Sequence, residues 1–126
     1  MKLSDEKLFS QQCYIDGRWC DADAGSSFDV ENPATGELLG TVPWMGASET
    51  RRAIEAAQAA FKPWSGLTAK QRSGILRKWF ELILEHQQDL ATLMTLEQGK
   101  SLTESSGEIA YAASFIEWFA EEGKRS

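Results

Sequence analysis

Thr95-Leu96-Glu97-Gln98-Gly99-Lys100 stands where one long amphipathic pattern stops and another begins. Gly99 is placed to end the first helix in the left-handed conformation, which glycine adopts without a Cβ penalty. Ser101, with Glu104 three residues on, makes a capping box that opens the next helix. Glu97 then has two readings: a solvated helix-end residue, or a carboxylate that holds something.

Upstream, Thr68 and Gln71 form another capping box, and Ile75, Trp79, Leu82, Ile83, Leu90, Leu93 and Met94 trace one apolar stripe. The spacing predicts a single long helix near residues 69–98. Before it, Ile54, Ala57, Phe61 and Trp64 share a face of a helix near 48–63, ended by Pro63 and Gly66. Downstream, the pattern predicts a helix near 102–122. Ile109, Ala112, Ala113, Ile116 and Phe119 make one apolar face, and Tyr111, Phe115 and Trp118 make a second stripe. Apolar residues over so much of a helix predict burial on more than one side. The basic residues of Lys124-Arg125-Ser126 suit a last helical turn but have nothing after them to dock it, so the chain reads as the front of a longer protein.

Toward the N-terminus the period changes. In residues 12–43, Asp16-Gly17 is the dipeptide of a tight hairpin. Phe28 and Val30 alternate before Asn32-Pro33, a turn through Ala34-Thr35-Gly36 follows, and Leu39 to Val42 return. The expected architecture is an α+β segment: a lead over 1–11, two β-hairpins over 12–46, and three helices over 47–126.

Composition limits the function. The chain has 126 residues, 42% hydrophobic and 25% charged, as one globular domain would, and its formal net charge of -6 argues against nucleic acid or anionic lipid as a partner. No apolar run approaches the roughly 20 residues that span a bilayer, and the N-terminus lacks a signal peptide's apolar stretch, so a cytoplasmic location is expected. Cys13 and Cys20 read as buried or idle thiols, with a disulfide or metal role as the alternative; no further Cys/His pair completes a zinc site. The single His86 reads as a solvated helix residue. There is no glycine-rich phosphate loop and no nucleophile beside a base, so neither catalytic nor cofactor-binding residues are expected within the chain.

The runs IDGRW (15–19), VENPATGELLGTVP (30–43), AIEAAQAAFKPW (53–64), RSGILRKWFELI (72–83), LMTLEQGK (93–100) and FIEWFAEEGKR (115–125) together resemble the opening portion of the NAD(P)-dependent aldehyde dehydrogenase superfamily. Within it the chain is most similar to bacterial succinate semialdehyde dehydrogenases, with glutarate semialdehyde dehydrogenases close behind. The resemblance implies an α/β protein with a Rossmann-like NAD or NADP domain, a catalytic domain and an oligomerisation arm, hence a homo-oligomer acting on a small aldehyde. This segment would be the lead-in to the cofactor domain. The catalytic cysteine and glutamate and the cofactor-binding residues would lie downstream, so the segment alone would be inert. The resemblance also implies a monovalent cation held by Val30, Glu31 and Glu97, against the alternative that Glu97 bonds the adjacent loop. It places Gly107, Glu108 and Tyr111 on the side of the third helix facing an aldehyde channel, against simple packing on the catalytic domain. The competing reading, from another class, is a free-standing helical module that docks a protein partner through Tyr111, Phe115 and Trp118.

Overall fold

Asp16 and Gly17, with φ of 52° and 75°, form the two-residue turn that matches strand twist. They join Cys13–Ile15 (β1) to Arg18–Cys20 (β2), antiparallel, with Cys13 opposite Cys20, Tyr14 opposite Trp19 and Ile15 opposite Arg18. The computed structural model describes residues 2–125. A second, separate hairpin pairs Ser27–Glu31 (β3) with Leu38–Pro43 (β4), and its register shifts between Val30 and Glu31. Its turn is held by Asn32, whose carbonyl accepts the amides of Thr35 and Gly36 and whose side chain accepts Ala34 N–H. A short 3-10 turn, Glu6–Leu8, precedes both hairpins.

The helices are Ala47–Ser65 (α1), Ala69–Glu85 (α2), Gln87–Gln98 (α3) and Leu102–Glu122 (α4). The α+β class and the two hairpins agree with expectation. The single helix over 69–98 does not: it is divided at His86, whose φ of -100° and ψ of 14° leave the helical region. His86 is half-buried at this break, not a solvated residue within a helix. The break turns Asp89 into a first-turn residue of α3, where a carboxylate is favoured by the helix dipole. Buried Asp89 accepts the amides of Ser4 and Asp5 at 2.9 Å each, tying the N-terminal lead to α3. Those two hydrogen bonds, Ser4 first, hold its carboxyl below the usual range.

Helix α4 packs along α2 and α3. Its inner seam is Ser105, Ile109, Ala113, Ile116 and Ala120, small residues alternating with isoleucines, which lets the helices approach closely. Ala112 and Phe119, expected on the inner face, are exposed, because the seam advances by about four residues per turn and leaves both to one side. Tyr111, Phe115 and Trp118 are uncovered as well. The stripe on α1 is likewise open, with Ile54, Phe61 and Trp64 exposed, while Ala53 and Ala56 are half-buried. Lys124 and Arg125 follow α4 and pair back to Glu121 and Glu122; Ser126 lies outside the described residues.

Candidate functional site

The Asn32-Pro33 turn meets the C-terminus of α3. Gly99 has a φ of 87°, and its amide donates to the Thr95 carbonyl at 2.9 Å, closing the helix. A Cβ built on Gly99 would fall 2.9 Å from Pro33 Cγ. The position therefore needs glycine twice, for the left-handed backbone and for the approach of the proline ring. Two stretches separated by sixty residues, Val30 to Gly36 and Glu97 to Lys100, thus form one corner of the molecule.

At that corner Val30 is half-buried, and Glu31 and Glu97 are exposed. The register shift in β3–β4 falls at Val30 and Glu31, where ladder pairing is disturbed. The Glu97 carboxylate has no hydrogen-bond or ion-pair partner among the described residues. No group of three or more His, Cys, Asp or Glu side chains among the described residues is placed to hold a metal ion.

Lys100 turns the other way and forms an ion pair with Glu108 on α4. This joins the Glu97-Gln98-Gly99-Lys100 stretch to the helix that carries Gly107, Glu108 and Tyr111. All three are exposed. Tyr111 and Phe115 stack edge-on with ring centroids 4.9 Å apart. Phe115, Trp118, Phe119 and Glu122 then line an open groove of about 670 Å³ at the far end of α4. The aromatic band is a helix face without a lid, not an enclosed cavity.

Sequence reasoning missed a second polar knot, between the hairpins and α1. Buried Glu49 reaches back to the Gly46 amide at 3.0 Å, accepts Asp23 N–H at 2.9 Å and takes the Ser48 hydroxyl at 2.8 Å. These donors, Asp23 N–H foremost, hold its carboxyl down at about 2. Arg52 then grips Asp23 through two bonds of 2.8 Å. The signal available was an acid at the third position of α1, where it caps the helix.

Residues 19–126 match the aldehyde dehydrogenase family. The chain is 66% identical over 125 residues to the glutarate-semialdehyde dehydrogenase of Pseudomonas putida, covering 99% of this chain and 26% of that protein. It is 65% identical over 125 residues to the succinate-semialdehyde dehydrogenase (NADP+) of Escherichia coli, with the same coverage. A solved succinate-semialdehyde dehydrogenase from Burkholderia pseudomallei superposes with a TM-score of 0.97 at 60% identity, covering 99% of this chain and 26% of that one. The chain spans about a quarter of the length of these relatives.

Proposed function

Because the chain belongs to the aldehyde dehydrogenase family, we propose that it supplies the N-terminal quarter of an oxidoreductase that converts a semialdehyde, succinate or glutarate semialdehyde first, to the acid with NAD or NADP. The observation that carries this reading is identity of about two thirds to two semialdehyde dehydrogenases along 99% of the chain. NADP as the cofactor is supported by the name of the E. coli relative.

In our reading this segment does not itself hold the dinucleotide. The N-terminus of α1 is closed by the Glu49 carboxylate and that of α4 by Ser101 and Glu104, where a phosphate would need free amides. Both strand pairs are antiparallel hairpins, without the parallel strand that leads into a phosphate-binding helix. We assign the cofactor and the thiol chemistry to the remainder of the protein. The role of this quarter is positional.

In our reading the corner at Pro33 and Gly99 also takes a monovalent cation through the carbonyls of Val30 and Glu31 and the carboxylate of Glu97. Its unpartnered carboxylate at a helix C-terminus has the chemistry for this, since a cation relieves its repulsion by the helix dipole. Gly107, Glu108 and Tyr111 then face the aldehyde channel, with Lys100 fixing Glu108. The segment divides into a lead (1–11), hairpins (12–46) and a helical lead-in to the cofactor domain (47–126). The uncovered faces of α1 and α4 are packed by the rest of a cytoplasmic homo-oligomer. No described helix is long and apolar enough to cross a membrane.

The test is steady-state kinetics of the full-length protein on succinate semialdehyde, glutarate semialdehyde and an uncharged aldehyde of equal length. The expected result is a kcat/KM higher for both acids' semialdehydes than for the uncharged one. Preference for the uncharged aldehyde would overturn the substrate class.

A further inference from the structure

Cys13 and Cys20 are outside every role described above, and the fold sets them face to face. They are opposite each other in the β1–β2 register, hence on the same face of the hairpin. In a hairpin closed by a two-residue turn, Ile15 and Arg18 exchange both hydrogen bonds, and the pairing alternates outward, so Cys13 and Cys20 are again a hydrogen-bonded pair with Cα atoms about 5.5 Å apart. That separation lies within the range of roughly 4.4–6.8 Å that a disulfide spans. The Cys20 thiol already leans across the ladder, donating to the Cys13 carbonyl at 3.3 Å. Both thiols are free and half-buried, neither sealed in a core nor fully open to a second molecule.

We propose that Cys13 and Cys20 form a redox-active dithiol that closes to an intrahairpin disulfide when the protein meets a peroxide. One thiolate attacks the peroxide, the O–O bond breaks, and a sulfenic acid forms with release of one water. The opposed thiol then displaces the hydroxyl as a second water. The S–S bond forms, the two sulfurs are oxidised by two electrons in total, and one hydrogen peroxide is reduced to two waters. The nearby partner captures the sulfenic acid before it oxidises further. An external thiol reverses the step by exchange. Closing the bridge requires the Cys20 side chain to rotate off the Cys13 carbonyl and the two Cβ atoms, at the wider spacing of a hydrogen-bonded pair, to draw together.

The sequence supplies a direct assay. Arg18 lies between the cysteines, with Lys7 and Arg51 the flanking basic residues, so trypsin separates peptide 8–18 from peptide 19–51 unless a disulfide joins them. The full-length protein is treated with one equivalent of hydrogen peroxide, alkylated, digested without reductant and weighed by mass spectrometry. The expected product is 8–18 joined to 19–51, lighter by two hydrogens than their sum, with both free thiols lost together and both restored by dithiothreitol. In Cys20→Ser the joined species is absent and Cys13 is recovered as a sulfenic adduct. Separate peptides carrying alkylated thiols or sulfinic acids in the unmutated protein would overturn the proposal, as would either cysteine joined to any other.

Discussion

Replacing Gly99 by alanine tests the corner on which the site is built. The φ of 87° costs an L-residue about 1–2 kcal/mol. The new Cβ would fall 2.9 Å from Pro33 Cγ, too near for a real contact, so the turn or the helix end must move; overpacking of this kind costs about 1–3 kcal/mol. Together they predict about 2–5 kcal/mol of local destabilisation. At tenfold for each 1.4 kcal/mol, protection against hydrogen exchange at the end of α3 should fall by roughly 30-fold or more. The assay is hydrogen-exchange mass spectrometry on full-length protein, following peptides over residues 90–101. Pro33→Ala removes the Cγ, so the double variant should recover the steric part and leave only the backbone part. Unchanged exchange in Gly99→Ala, or the same loss whether or not Pro33 is present, would refute the reasoning.

The polar knots give two further expectations. Glu49 is held at about 2 against an ordinary 4.5, so its contribution is complete above about pH 4.5 and is lost as pH falls toward 2; Glu49→Gln should flatten the acid limb of the thermal midpoint in that window, and an identical limb in both proteins would contradict it. Asp89→Ala leaves the amides of Ser4 and Asp5 without their acceptor, and their exchange should rise about tenfold or more while α2 is unaffected; unchanged exchange in the lead would show that it is anchored elsewhere.

What the sequence made legible was local. Asp16-Gly17, Thr68 with Gln71, Gly99 and Ser101 with Glu104 each announce a turn or cap through their own chemistry, and each stands where expected. The break at His86 was not legible, because neither glycine nor proline marks it and Leu90, Leu93 and Met94 continue the stripe. Just after it stands Asp89, whose partners are 85 and 84 residues away and equally outside any local pattern. The seam of α4 was misassigned for a related reason. Large aromatics dominate a count of apolar positions, yet Ser105, Ala113 and Ala120 do the close packing. As for the candidate site, Glu97, Val30 and Glu31 were named through family resemblance, while the contact that brings their stretches together runs through Gly99 and Pro33. No periodicity could reveal it. The Lys100–Glu108 pair, eight residues apart and spanning a helix break, was likewise outside any local rule.

In the function proposed above, this chain positions an aldehyde dehydrogenase and leaves the chemistry to the remainder of the protein. The most direct measurement is the rate of nicotinamide reduction with succinate semialdehyde, taken side by side for the full-length protein and for the purified 126-residue chain, each with NAD and with NADP. Turnover is expected from the full-length protein, and none above the enzyme-free rate from the 126-residue chain with either nucleotide. Hydride transfer by the 126-residue chain alone, or a folded full-length protein that reduces neither nucleotide with any semialdehyde, would contradict it.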